Sequence, residues 1–362
     1  MIPLPRLEAR PEASRVMVFA APALAIAATL AAGAALFAAL GFAPLSALRA
    51  FFVEPVSSLY GVSELLLKAG PLAMIGVGIA VGFRGNVWNI GAEGQFIVGG
   101  VAAGGTALAL YQVPGLWVLP LVLTAGIAGG ALYAAVPALL RVRFHANEIL
   151  TTLMLNYVGG LFLAWLVHGP WRSPEGYNFP ETRMFTDSAL MPVLVQDTRL
   201  HVGILAVPLV AAAAWILLSR TFLGFQIKVI GMTPAAGSYA GFPQGRVVWV
   251  SLMLGGGLAG LAGAMEVTGP IGQLTPNISP GYGYTAIIAA FLGRLHPAGI
   301  VLASLLLALT YLGGDATQIA LGIPLAVAQV FQGMILFFLL AAEVLIRYRI
   351  RFFRPRPAGG AR

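Results

Sequence analysis

Apolar residues in this chain are gathered into long runs separated by short polar breaks, and such runs fold stably only across a lipid bilayer. The runs lie near Val16–Leu40, Leu65–Phe83, Glu93–Tyr111, Leu116–Leu140, Ile149–His168, Val202–Leu218, Val247–Thr268, Tyr282–Leu292, Ala298–Leu312 and Leu325–Ile346. Hydrocarbon leaves backbone N–H and C=O groups no partner outside the segment, so each run is expected to be helical. The predicted fold is an all-α integral membrane protein, a single transmembrane domain over 1–362 with about ten crossings of ~20 residues each. Charge agrees: 9% of residues are Asp, Glu, Lys or Arg, against about 25% in soluble domains. The first run follows a basic start and is longer than a signal-peptide core, so it is expected to be retained. The pairs Gly78/Gly82, Gly100/Gly104, Gly126/Gly130 and Gly256/Gly260 match the small-xxx-small pattern of close helix packing.

The basic residues set the orientation, because Lys and Arg gather on the cytoplasmic side. With the N-terminus inside, 16 of the 21 basic residues fall in cytoplasmic segments and 5 outside. Both termini are then cytoplasmic, the N-terminal segment being 1–15 and the basic tail 347–362, which is expected to be frayed. Segment 168–200 forms an external loop that either docks an extracytoplasmic partner or caps the bundle. Segment 219–246 is a cytoplasmic loop. The net charge of +8 thus reads as topology plus headgroup contact, with no nucleic-acid partner.

One polar break carries most of the chemistry. Residues 84–97 place Asn86, Trp88, Asn89, Glu93 and Gln95 between two apolar runs, where a charge costs ~2.5–3.5 kcal/mol on insertion scales. Such a segment either lines a transport pathway or satisfies the backbone of a broken helix. Glu93 has both readings, since acids are also favoured at helix N-termini. Asn156 and Tyr157, inside the fifth run, are pathway residues or interhelical hydrogen-bond partners, whereas Asn147 is expected to cap a helix. Short, interrupted runs near Tyr282–Leu312 mirror this break and point to inverted repeats with broken helices. In the cytoplasmic loop, Thr233 before Pro234 predicts a helix start and Gly241 its end. One or two helical turns should lie on the membrane surface there.

Enzyme chemistry has no foothold. The four histidines are scattered, and neither a zinc-protease spacing nor a phosphate-binding loop occurs, so the chain does not hydrolyse nucleotide. No nucleophile elbow is present, and the absence of cysteine removes thiolate metal sites. No cofactor or metal site is expected.

Four ordered motifs carry a resemblance. Asn89-Ile-Gly-Ala-Glu-Gly-Gln95, Asn147-Glu-Ile-Leu-Thr-Thr-Leu-Met-Leu-Asn-Tyr157, Gly231–Gly241 and Gly281-Tyr-Gly-Tyr-Thr-Ala-Ile287 resemble the membrane permeases of bacterial ABC importers for nucleosides and simple sugars. Within that group the chain is similar to the longer permease of purine-nucleoside importers. The resemblance implies a vitamin B12-importer-like helical fold in the bacterial inner membrane, paired with a second, shorter permease. It also implies a cytoplasmic ABC ATPase and an extracytoplasmic binding protein or lipoprotein. Gly231, Thr233, Pro234, Ala235, Ala236, Gly237, Tyr239 and Gly241 would then form the coupling helix held by the ATPase. Alternatives are a simple-sugar permease and a self-sufficient transporter coupled to ions through Glu93.

Overall fold

The computed structural model describes residues 4–9 and 15–353. Residues 1–3, 10–14 and 354–362, which include part of the expected basic tail, lie outside the described residues. The chain divides into two compact units, one of residues 1–54 with 313–362 and one of residues 55–312.

In the first unit, α1 (Arg15–Ala39) packs along α13 (Ala326–Arg347), and α2 (Pro44–Phe52) packs on α1. Gly41, at a φ of +86°, turns the chain between α1 and α2. The core is aromatic: Phe37, Phe51 and Phe331 meet with centroids 4.5–6.3 Å apart, closed by Ala47, Ile323 and Val327. The expected all-helical character holds apart from one short two-stranded ribbon, and that ribbon corrects one expectation: the tail is not frayed up to Phe353. Strand β1 (Leu4–Ala9) pairs antiparallel with β2 (Tyr348–Phe353), Leu4 opposite Phe353 and Ala9 opposite Tyr348. The physical signal is the period-two alternation Tyr-Arg-Ile-Arg-Phe, which suits a strand.

The second unit holds α3 (Leu59–Arg84), α4 (Ala92–Ala109), α5 (Val118–Phe144), α6 (Glu148–His168), α7 (Ala206–Arg220), α8 (Phe222–Met232), α9 (Pro234–Tyr239), α10 (Gln244–Glu266), α11 (Tyr282–Leu292) and the first part of α12 (Pro297–Leu321). Its centre is α10 packed against α3, α4 and α5. Glycine makes these crossings possible. A Cβ added at Gly260 would fall 2.2 Å from the Gly126 carbonyl oxygen, and one at Gly99 2.2 Å from Gly260 Cα.

Among the described residues, six helical segments are long and apolar enough to cross a membrane: Leu59–Arg84, Val118–Phe144, Glu148–His168, Val202–Arg220, Gln244–Ile271 and Pro297–Leu321. The other expected crossings correspond to α1, α4, α11 and α13, each helical but shorter or less apolar over its described length. Two helices, α2 and α8, lie where no helix was expected. Helix α12 also runs on past Leu312 to Leu321, with Gly313 lying close against the Phe51 carbonyl.

The segment 169–201 has little regular structure but is firmly tied down. Thr182, Phe185 and Met191 donate backbone N–H groups to Leu274, Gly272 and Thr268 at 2.8–3.0 Å. Arg199 donates from Nε and Nη2 to the two carboxylate oxygens of Glu64 on α3, at 3.0 and 2.5 Å. The partners of the loop backbone are the π-turn Val267–Ile271 that ends α10 and the residues just after it.

Candidate functional site

The site is built where α3 stops and α4 starts. Helix α3 ends at Arg84 because Gly85 and Val87 both donate to the Gly82 carbonyl, and Asn86 adopts a left-handed φ of 55°. The chain then runs non-helically to Gly91, leaving the first amides of α4 without intrahelical partners. Side chains supply them. Asn89 Oδ1 accepts from Gly91 N at 3.0 Å. Asn156 Oδ1, on α6, accepts from Gly94 N at 2.8 Å, and Asn156 Nδ2 donates to the Ile90 carbonyl at 2.9 Å and to Tyr284 Oη at 3.1 Å. Thr152 Oγ1 accepts from Ile90 N at 3.1 Å.

Asn89 and Gln95 hold each other reciprocally, Nδ2 to Oε1 at 2.8 Å and Nε2 to Oδ1 at 3.1 Å. Glu93 reaches a different helix. Its Oε2 accepts from Gly283 N at 2.7 Å, at the N-terminus of α11, and Ser279 adds a side-chain bond. The positive end of a helix dipole favours a carboxylate there. The two helix starts touch, since a Cβ on Gly283 would lie 2.3 Å from Glu93 N.

At the other end of the break, Trp88 is wedged between rings, 4.7 Å from Phe83 and 6.3 Å from Phe291, with Nε1 donating to Asn86 Oδ1 at 2.9 Å. Arg141 bridges Glu148 at 2.7 Å and the Asn86 carbonyl at 3.3 Å. A cleft of about 520 Å³ opens beside them, lined by Asn86, Arg141, His145, Glu148, Pro234 and Gln244.

Helix α9 forms the rim of that cleft. Thr233 is its N-cap position with Pro234 first in the helix, and Gly241 comes after its end at a φ of +71°. Ala235, Ala236 and Tyr239 face outward, whereas Gly237 is buried against Ile230. The corner before α9 bears directly on the break: a Cβ at Gly231 would fall 1.8 Å from the Arg84 carbonyl oxygen. Arg84 in turn donates from Nε to the Leu295 carbonyl at 3.0 Å, in the turn between α11 and α12.

Residues 61–340 match the family described as the branched-chain amino acid transport system / permease component. The chain belongs to this permease family. It is 33% identical to a glucose ABC transporter permease protein of Haloferax volcanii, over 92% of this chain and 90% of that one. It is 31% identical to a guanosine ABC transporter permease protein of Bacillus subtilis, over 91% and 94%. A nucleoside ABC transporter permease protein of Lactococcus lactis subsp. cremoris is 28% identical over 88% and 89%. No solved structure matches.

In this permease, a multi-pass protein of the cell membrane, the sequence-predicted pathway residues form two groups and leave one residue apart. Asn89, Glu93, Gln95 and Asn156 come together as one buried, internally bonded frame. Asn86 and Trp88 belong to the cleft end of the break. Tyr157 joins neither group and is 63% exposed on α6. Asn147 caps α6, accepting from Ile149 N and Leu150 N. Sequence reasoning did not single out Arg84, Arg141, Thr152 or Tyr284, and read Glu148 only as part of a helix start. The clue for Arg141 and Glu148 was the seven-residue gap across a helix corner, and no spacing rule links Asn156 to Tyr284, 128 positions away. Among the described residues no cluster of His, Cys, Asp or Glu could hold a metal ion.

Proposed function

We propose that this permease forms one wall of the translocation route of an ATP-driven importer of nucleosides, with purine nucleosides favoured. The ATP is hydrolysed by a separate cytoplasmic subunit that grips α9. A second, shorter permease completes the route, and an extracytoplasmic binding protein or lipoprotein delivers the solute to it. Both termini and α9 face the cytoplasm, and α1, α4, α11 and α13 complete about ten crossings. The meeting of the α4 and α11 N-termini supports paired broken helices in two inverted halves, and a vitamin B12-importer-like arrangement.

The observation that carries this reading is the backbone seat of Gly231 on the Arg84 carbonyl. A push on α9 passes through it to the start of the broken segment. From there the frame of Asn89, Glu93, Gln95 and Asn156 conveys it to α6 and α11, whose exposed Tyr157 and Tyr284 offer aromatic faces for a base and hydroxyls for a ribose. The frame residues thus position the wall, and Asn86 and Trp88 hold its lower edge.

Glucose is the second reading, favoured by the name of the Haloferax relative at 33% identity. Uptake of radiolabelled guanosine and glucose by cells with and without the gene separates the two. Loss of guanosine uptake alone is expected. Loss of glucose uptake with guanosine unaffected would replace the nucleoside reading.

A further inference from the structure

We propose that Arg84 is a positioning residue for transport, an inference that rests on the function proposed above. Its guanidinium clamps the C-terminal end of α11, so that α11 follows the broken segment as one rigid piece. Arg84 is half-buried at the end of α3. Among the described residues, no carboxylate lies within ion-pair distance of it. A guanidinium taken partly out of water is costly unless its donors are used. Here Nε donates to a neutral acceptor 211 positions along the chain, the Leu295 carbonyl, at 3.0 Å.

That carbonyl belongs to a strained corner. Arg294 and Leu295, between α11 and α12, both adopt left-handed φ values, 54° and 56°. Side chains are disfavoured there and glycine is the usual occupant, yet Gly293, one position earlier, has a φ of −76°. Leu295 N donates to the Ala290 carbonyl at 2.8 Å and His296 N to the Gly293 carbonyl at 3.0 Å, closing α11. Such strain persists only where the surroundings over-determine it, and Arg84 supplies a constraint of that kind. Phe83 and Trp88 add to it, their ring centroids 5.4 and 6.3 Å from that of Phe291 in the last turn of α11. The other end of α11 is held by Glu93 through Gly283 N. Residues 83–93 therefore grip both ends of a helix about 16 Å long at 1.5 Å per residue, and that helix carries Tyr284. With the Arg84 bond lost, Glu93 would still hold the start of α11 while the corner relaxed. The helix would then tilt instead of travelling with the break.

Two variants separate the bond from the charge. Arg84→Met keeps the length of the side chain and loses the donor, whereas Arg84→Gln loses the charge but places an amide N–H where Nε stands. In hydrogen-exchange mass spectrometry of the full-length chain in lipid nanodiscs, residues 294–296 should exchange about tenfold faster in Arg84→Met than in wild type. Arg84→Gln should exchange there at the wild-type rate. In cells, uptake is measured with whichever of guanosine and glucose the wild type carries. Arg84→Met should lower the maximal rate about tenfold with the half-saturating concentration unchanged, and Arg84→Gln should restore the rate. Adding Arg294→Gly to Arg84→Met removes one left-handed side chain, so it should return the unfolding midpoint to the wild-type value and leave uptake low. Unchanged exchange in Arg84→Met would overturn the clamp whatever the solute, so a wrong clamp and a wrong transport reading give different results. Restored uptake in the double variant would reduce Arg84 to a structural role, and equal loss in Arg84→Gln and Arg84→Met would assign the effect to charge. Either result overturns the proposal.

Discussion

Asn156 is the residue on which the broken segment most depends. Its side chain serves Gly94 N, the Ile90 carbonyl and Tyr284 Oη, three groups on two distant stretches of chain. Asn156→Leu keeps the volume but leaves buried polar groups unpaired, at about 1–3 kcal/mol for each. The expected outcome is a lower unfolding midpoint in detergent together with loss of uptake. Tyr157→Ala, one position along but exposed, should leave the midpoint unchanged. A second residue-scale expectation concerns pH. His201, just before the Val202–Arg220 span, caps the next turn by accepting from Gly203 N at 3.2 Å, and burial holds its pKa down at about 4. The unfolded chain would take up that proton near pH 6.5, so the native state loses stability as pH falls from there toward 4. The loss amounts to about 3 kcal/mol at 1.36 kcal/mol per pH unit. His201→Asn, which keeps an acceptor but cannot titrate, should flatten the midpoint over that window.

At the scale of elements, α9 was legible because its punctuation is local: Thr233 and Pro234 start it, and Gly241 turns the chain away just past its end. The α8 helix before it was not, because eleven residues fall short of a crossing and no sequence rule says that Ile227 and Ile230 pack with Val81 and Val247. The same holds for the site. The sequence marked the polar break, since a charge in hydrocarbon demands an explanation. Only the tertiary fold shows that Asn89 and Asn156 satisfy the backbone, that Gln95 holds Asn89 in place, and that Glu93 serves α11 rather than its own helix. The structure also divides the faces of α9. Ala236→Trp adds bulk on the outward side alone, so it should abolish uptake while the unfolding midpoint stays at the wild-type value. Gly237→Trp pushes into Ile230 and should lower the midpoint by itself, overpacking costing about 1–3 kcal/mol. Measuring uptake and midpoint on both variants separates the two effects. An undisturbed uptake rate in Ala236→Trp would take α9 out of the coupling mechanism.

For the molecule's larger unit, residues 55–312, the α3 end is where the helices meet. Arg84 is seated under Gly231, bonded to the turn after α11 through Leu295, and leads directly into the frame that holds α4, α6 and α11. In the proposed function, motion at α9 would reach the residues proposed to line the route through this contact, which is too close for any side chain. The most direct measurement is the ratio of ATP hydrolysed to guanosine transported by the reconstituted importer, compared between wild type and Gly231→Ala. A methyl group at Gly231 must part the corner from the Arg84 carbonyl, so the variant should still hydrolyse ATP but move about tenfold less guanosine per ATP, within the usual range of coupling energies. A Gly231→Ala importer that assembles and transports at the wild-type ratio would contradict the transmission of α9 movement through this contact.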